Sequence, residues 1–206
     1  MDASSLALEP TSAATVVFVV GPPAVGKGLQ CGLLRKAGFG FTHLSTGYLL
    51  RMEVAKGSAL GAEVAAVMAA GGVVPDDAVL RLLCAAVEAA PGPHRRVLID
   101  GFPISLAQAA AFEAAVCAPV CVLALGAPEA ALEARAVERA RTSGRDDDNV
   151  PAFRRRLASY REQTLPVLAR YEEAGIVRRV DASGSAEDVA ADIAVVFECE
   201  GRGRFR

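Results

Sequence analysis

The stretch Val16-Val-Phe-Val-Val-Gly-Pro-Pro-Ala-Val-Gly-Lys-Gly-Leu-Gln30 decides the fold, because an apolar strand runs directly into a glycine-rich turn and then a helix. Gly21, Gly26 and Lys27 fit the pattern G-x-x-x-x-G-K. In such a loop the glycines let the backbone bend so that successive N–H groups point inward, and the lysine adds a positive charge. The helix that begins near Gly28 adds the positive end of its dipole. The stretch therefore predicts a site for nucleotide phosphates.

Short apolar strands alternate with helices along the rest of the chain. The predicted strands span 15–20, 95–100, 119–125 and 176–180, and 38–44 is interpreted as a connector. The predicted helices span 27–36, 46–54, 59–70, 76–90, 105–116, 128–142, 151–174 and 186–198. Pro166 is a candidate kink in the helix at 151–174. Apolar strands separated by helices are typical of a parallel sheet covered on both faces, so we predict an α/β, doubly wound fold in one domain.

The bulk composition restricts the classes of function. The 206 residues are 52% hydrophobic and 22% charged, as in a globular domain. The formal net charge of −2 gives no long-range attraction to nucleic acid or an anionic membrane, and neither is expected as a partner. The five cysteines form no C-x-x-C pair, which favours reduced thiols over zinc or disulfides. With no signal peptide or membrane span indicated, we expect a soluble, cytoplasmic protein.

Two groups of charged residues extend the prediction from binding to chemistry. Asp100 ends a strand, and the carboxyl ends of parallel strands meet at one edge of a sheet, so it is expected beside the phosphate loop, where it could hold the waters of a Mg²⁺ ion. Without the loop, a helix-capping aspartate would be the simpler interpretation. Arg135, Arg139, Arg145 and Arg156 could position and neutralise a migrating phosphoryl group. Taken alone, they also fit an exposed, salt-bridged helical face.

Several motifs occur in the order typical of one family. They are Gly-Pro-Pro-Ala-Val-Gly-Lys-Gly at 21–28, His-Leu-Ser-Thr-Gly-Tyr-Leu-Leu-Arg at 43–51, Gly-Val-Val-Pro at 72–75, Asp-Gly-Phe-Pro at 100–103 with Gln108, Ser-Gly-Arg-Asp-Asp-Asp-Asn at 143–149 and Arg-Arg-Leu at 155–157. With these motifs the chain resembles the adenylate kinase group of nucleoside monophosphate kinases over about 15–197. The resemblance implies a P-loop NTP-transferase fold with a five-stranded parallel sheet, and transfer of a phosphoryl group from ATP to AMP with Mg²⁺.

The resemblance also assigns residues to roles. The implied ATP-binding residues are Gly21, Ala24, Gly26, Lys27, Gly28, Leu29 and Arg135. The implied AMP-binding residues are Thr46, Arg51, Val74, Gly101 and Gln108. The implied catalytic residues are Lys27, Arg139, Arg145, Arg156 and Asp100, the last also as the water-mediated Mg²⁺ ligand. Thr46 and Gln108 resemble the AMP-specific members more than the uridylate/cytidylate kinases.

The same likeness divides the chain. A flexible extension at 1–14 would precede the kinase domain at 15–198, and a tail would follow at 199–206. Within the domain, 45–74 would be a mobile NMP-binding part and 140–150 a short lid. A monomer is expected.

Four positions inside the motifs depart from the family pattern. Ile104 stands where the family has an arginine, Tyr48 where it has an aspartate, Leu29 where it has a threonine, and Ala24 where it has a glycine. The change at Ala24 is expected to be mild provided that its φ is negative. The departures keep open a catalytically weak nucleotide-binding protein with a structural or regulatory role in a larger assembly, such as a cilium or flagellum. A UMP/CMP kinase is a further alternative.

Overall fold

A computed structural model describes residues 14–70, 72–92, 95–142 and 149–201 of the chain. For residues 200 and 201 it describes the backbone alone. The predicted catalytic Arg145 lies outside these ranges, as do most of the predicted lid and of both predicted terminal segments. Within them, none of the helices combines the length and apolarity needed to cross a bilayer.

Five parallel strands form one sheet, which confirms the predicted α/β class. The strands are β1 (Thr15–Val20), β2 (Thr42–Ser45), β3 (Arg96–Asp100), β4 (Cys121–Gly126) and β5 (Val177–Asp181). Their order in the sheet is β2-β3-β1-β4-β5. Strand β1 lies at the centre, and its residues from Val16 to Val19 are fully buried, as its unbroken apolar sequence predicts. In the β1–β3 register Val19 lies opposite Asp100, so both strands end at the same edge.

Helices cover both faces of the sheet. They are α1 (Lys27–Lys36), α2 (Thr46–Ala55), α3 (Ala59–Ala69), α4 (Asp76–Glu88), α5 (Leu106–Ala115), α6 (Glu129–Thr142), α7 (Val150–Ser159), α8 (Leu165–Glu173) and α9 (Ala186–Gly201). Alternate residues of β1 enter two separate cores: Phe18 packs with α4, α5 and α8, and Val17 and Val19 pack with α1 and α9. Ser45 caps α2 by accepting a hydrogen bond from the Tyr48 N–H.

Three details of the prediction were wrong. The connector at 38–44 contains most of β2, which has only four residues and follows two glycines. The helix predicted at 151–174 is divided by a π-helical turn at Tyr160–Thr164, immediately before the helix that carries Pro166. A proline cannot donate to the carbonyl one turn back, and a wider turn precedes it here. Helix α9 continues to Gly201, past the predicted start of the tail at 199.

Candidate active site

The loop between β1 and α1 has the geometry that its glycines require. Gly26 adopts a φ of 99° at the N-terminus of α1, a left-handed conformation that favours glycine. A Cβ on Gly21 would lie 2.5 Å from the carbonyl oxygen of Leu125, so a side chain there would collide with the backbone near the end of β4. The loop is therefore held against the sheet while its N–H groups remain at the start of α1.

Ala24 departs from the condition set for it above. Its φ is +64°, which places it in the left-handed region, so the condition for a mild change is not met. An alanine Cβ in this region costs about 1–2 kcal/mol relative to the usual backbone conformations. The loop keeps its glycine-like shape at Ala24 and is strained there.

Lys27 extends across the loop from the first turn of α1. Its Nζ donates hydrogen bonds to the carbonyl oxygens of Gly21 and Pro22, both at 2.9 Å. Burial lowers the pKa of Lys27, an effect that the nearby Asp100 carboxylate opposes and the Arg139 guanidinium reinforces. The ammonium is thus placed over the loop in surroundings that favour an added negative charge.

Asp100 ends β3 beside the phosphate loop, as the sheet topology predicts. It is 8% exposed, and its Oδ2 lies 3.5 Å from His43 Nε2. A Cβ on Gly28 would approach the same Oδ2 to 3.3 Å, so the glycine allows α1 to start close to the carboxylate. The carboxylate and the Lys27 ammonium line the same cavity.

That cavity, here called the central cavity, has a volume of about 280 Å³. It collects most of the predicted site residues from five separate segments. The predicted residues that line it are Gly21, Ala24, Lys27, Thr46, Arg51, Asp100, Gly101, Arg139 and Arg156. Three guanidinium groups and one ammonium group therefore surround a small space at the carboxyl edge of the sheet, an arrangement suited to a polyanion.

A second cavity, the donor slot, opens on the α1 side of the loop. It is lined by Gly26, Leu29, Arg135 and the segment that follows β5. Arg135 donates hydrogen bonds to the carbonyl oxygens of Ala182, at 2.8 Å, and Ser183, at 3.3 Å, which fix its guanidinium plane in the wall of the slot. Leu29 is 56% exposed at the rim and contributes an apolar surface. Four predicted ATP-binding residues do not line the central cavity. They line a larger cleft that adjoins the central cavity, and they are Gly26, Gly28, Leu29 and Arg135.

A third cavity, here called the acceptor cavity, adjoins the central cavity and shares part of its lining. Thr46, Arg51, Gly101 and Arg156 line both. Val74 and Gln108, the remaining predicted AMP-binding residues, line only the acceptor cavity of the two. The Thr46 hydroxyl links the start of α2 to the end of β3, because its Oγ1 lies 3.0 Å from the Asp100 carbonyl oxygen and 3.1 Å from that of Gly101.

Ile104 lies between the central and acceptor cavities and lines both. Its N–H donates to Gln108 Oε1 at 3.0 Å, and its carbonyl oxygen accepts from Thr164 Oγ1 at 3.0 Å. The backbone of Ile104 is therefore held on both sides, and the residue lines the same two cavities as Arg51 and Arg156.

Sequence reasoning missed several residues of the central cavity. Tyr160 and Thr164 line it from the π-helical turn. Tyr160 is four residues after Arg156 and Thr164 is four after Tyr160, which gave a usable signal, since residues four apart share a helix face. Ser159, three residues after Arg156, and Val73, within the motif at 72–75, also line the cavity and were not assigned a role. Tyr48, 56% exposed, lines the larger cleft beside His43.

Comparisons with known proteins agree on one family. The adenylate kinase family model matches residues 19–176. The chain is 41% identical over 180 residues to adenylate kinase isoenzyme 1 of Oryctolagus cuniculus, covering 87% of this chain and 92% of that protein. It is 42% identical over 178 residues to the isoenzyme 1 of Sus scrofa, covering 86% and 91%. A probable UMP-CMP kinase 1 of Arabidopsis thaliana is 40% identical over 187 residues, covering 90% and 89%.

Proposed function

This chain belongs to the adenylate kinase family of phosphotransferases, and we propose that it transfers the terminal phosphoryl group of ATP to AMP, forming two ADP. The observation that carries the proposal is the central cavity. The phosphate loop with Lys27, Arg51 of α2, Arg139 of α6 and Arg156 of α7 all line it. The donor slot and the acceptor cavity share no lining residue, so two nucleotides would occupy them separately and meet at this cluster through their phosphates.

The proposed mechanism needs positioning and charge more than covalent chemistry. Phosphoryl transfer spreads negative charge over the transferring group, and fixed donors that match this charge lower the barrier. The loop N–H groups and Lys27 would hold the ATP phosphates, while Arg51 would hold the acceptor phosphate. Arg139 and Arg156 would neutralise the transferring group, with Arg145 as a further contributor. No general base is needed, because the acceptor phosphate is already anionic.

Asp100 fits the role of a Mg²⁺ ligand through water. Magnesium keeps several waters and is usually bound by one or two carboxylates together with substrate phosphates. Asp100 supplies one such oxygen donor at the wall of the central cavity, and the described ranges contain no cluster of three His, Cys, Asp or Glu that would form a separate metal site. Bound together with nucleotide phosphates, the ion would add charge neutralisation.

The segments at 45–74 and 140–150 would close over the two nucleotides. Closure would exclude water and favour transfer to AMP over hydrolysis of ATP. We propose that the protein acts in the cytoplasm as a monomer.

A catalytically weak nucleotide-binding protein is the second candidate, favoured by Ile104. In this structure an isoleucine side chain lies at the junction of the central and acceptor cavities, where the family pattern has an arginine. The loss of one arginine that contacts the transferring group can cost about 10³-fold in rate. Such a protein would bind ATP and serve as a structural or regulatory component of an assembly such as a cilium or flagellum.

A UMP/CMP kinase is the third candidate, favoured by the likeness to the Arabidopsis thaliana protein with that name. Thr46 and Gln108 argue for AMP instead, since both line the acceptor cavity and both match the AMP-specific pattern.

An assay of ADP formation from ATP with AMP, UMP or CMP separates these candidates. Wild type is compared with the Ile104→Arg/Tyr48→Asp double variant. The proposal expects turnover by wild type with the highest kcat/KM for AMP. A higher value for UMP or CMP would establish the third candidate. Turnover by the double variant alone, with ATP binding by wild type, would establish the second and overturn the proposal.

A further inference from the structure

Gln108 makes a hydrogen bond to a residue that no motif includes. Its side-chain Nε2 donates to Asp76 Oδ1 at 2.7 Å, and the two residues are 32 positions apart in the chain. Asp76 is the first residue of α4, directly after Pro75, and Gln108 lies in the first turn of α5. Gln108 is 2% exposed and lines the acceptor cavity. Asp76, which does not itself line the acceptor cavity, therefore contacts the buried Gln108 amide.

Two contacts fix which way the Gln108 amide points. A carboxylate can only accept hydrogen bonds, so Asp76 must face the amide NH₂ group. A backbone N–H can only donate, so the Ile104 N–H, 3.0 Å from Oε1, must face the amide oxygen. Both partners require the same orientation, and rotating the amide by 180° would oppose donor to donor at Ile104 and acceptor to acceptor at Asp76.

The held amide keeps one free valence at each end. Its Nε2 has a second hydrogen, and its Oε1 has a second lone pair. A base edge that offers a ring-nitrogen acceptor next to an exocyclic amine matches this pair. Adenine presents that pattern with N1 and its N6 amine. Hypoxanthine has nearly the same shape but presents the reverse pattern, an N1–H donor beside an O6 acceptor.

We propose that Asp76 is a positioning residue that holds the Gln108 amide in the orientation that selects a 6-amino over a 6-oxo purine monophosphate. The inference rests on the proposed function, since it assumes that the acceptor base lies in the acceptor cavity. A site with fixed polar groups discriminates strongly against an analogue that leaves those groups unpaired. Asp76 thus sets the selectivity without contacting the reacting atoms.

The test compares AMP with IMP, which differ in this edge alone. Binding of each is measured by titration calorimetry, and kcat and KM are measured with ATP as donor. For Asp76→Leu we expect the preference for AMP over IMP to fall about tenfold, the factor that one hydrogen bond to a charged group supplies. The loss should appear in the AMP Kd and KM, with kcat unchanged within about twofold, because the phosphates are held elsewhere.

Asp77→Leu is the matched control. Asp77 is also acidic, exposed and in the first turn of α4, so its removal changes the helix N-terminus in the same way. It should leave the AMP/IMP preference unchanged. Asp76→Asn should restore most of the preference, because its side-chain oxygen can still accept from Nε2.

The outcomes separate this inference from the proposed function. If wild type shows no turnover but Asp76→Leu lowers the AMP/IMP binding ratio, the proposed function fails and the role of Asp76 holds. If wild type is active and Asp76→Leu keeps the full ratio, or loses it no more than Asp77→Leu does, the role of Asp76 is refuted and the function stands. If wild type binds neither AMP nor IMP, both are overturned.

Discussion

The phosphate loop at 21–28 and the acceptor-facing segment at 100–108 both leave central strands of the sheet, but they bring different chemistry to the cleft. The loop offers backbone N–H groups and one ammonium, whose position Gly21 and Pro22 fix through their carbonyls. The acceptor-facing segment relies on side chains. The Gln108 amide oxygen accepts a hydrogen bond from the Ile104 N–H, and the Thr46 hydroxyl donates to the Asp100 carbonyl oxygen, so both side chains are held by contacts within the protein.

From this difference we expect departures from the family pattern to have unequal consequences on the two sides. A backbone-built site keeps its donors when a side chain changes, so Ala24 and Leu29 leave the loop geometry in place. A side-chain-built site loses a donor with each substitution, so Ile104 removes charge from the acceptor side. We therefore expect a donor side with full phosphate affinity and an acceptor side with reduced affinity.

The largest effect is expected from removing the side-chain charge of the loop. Lys27→Met should lower kcat/KM for ATP by about 10³-fold, because the ammonium is the one side-chain cation that the loop itself provides. Lys36→Met, at the exposed end of the same helix, is the control and should change kcat/KM less than twofold. Near-normal activity in Lys27→Met would remove the loop from the mechanism.

Ile104→Arg is expected to repair the acceptor side. The backbone of Ile104 is held by Gln108 and Thr164, so an arginine there would extend into the region shared with Arg51 and Arg156. We expect kcat/KM for AMP to rise by about 100-fold and KM for ATP to stay unchanged. Leu106→Arg, at a position 45% exposed in α5, controls for added charge. An equal gain in Leu106→Arg, or a change confined to ATP, would contradict the comparison.

Ala24→Gly should show that the loop is strained but intact. Glycine removes the cost of the positive φ, which stabilises the folded protein, but its greater unfolded-state entropy offsets part of this gain. The free energy of unfolding should therefore increase by about 0.5–1 kcal/mol. Ala37→Gly is the control of opposite sign, because Ala37 has a φ of −71° and gains nothing from glycine. Urea unfolding measures both. A loss of stability in Ala24→Gly would show that the left-handed conformation carries no strain.

The smallest effect concerns a single proton. Burial lowers the pKa of Lys27, so the free protein loses this proton at a lower pH than an exposed lysine would, and the negative charge of bound phosphates raises that pKa again. ATP binding should therefore take up a fraction of a proton in the pH range where Lys27 titrates in the free protein, and the uptake should diminish at lower pH, as Lys27 becomes fully charged before ATP binds. Calorimetry in buffers of different ionisation enthalpy detects it. Proton release, or equal uptake by Lys27→Met, would refute this account of the loop.

The sequence predicted the donor side better than the acceptor side, for physical reasons. A loop whose shape depends on glycines leaves its pattern in consecutive residues, and Gly21, Gly26 and Lys27 were found in this way. The contact between Asp76 and Gln108 joins two helices and leaves no local pattern. The left-handed conformation of Ala24 was also not predicted, since alanine rarely adopts it and only the glycine of the family pattern at this position pointed to it.

The most direct test of the central claim is a crystal structure with an analogue in which two adenosines are joined by a chain of phosphates. The account predicts that the phosphate chain crosses the central cavity, over the loop N–H groups and Lys27. One adenine would lie in the donor slot beside Arg135, and the other would lie in the acceptor cavity against Gln108. A phosphate chain bound away from Lys27, or both adenines on one side of the arginine cluster, would contradict it.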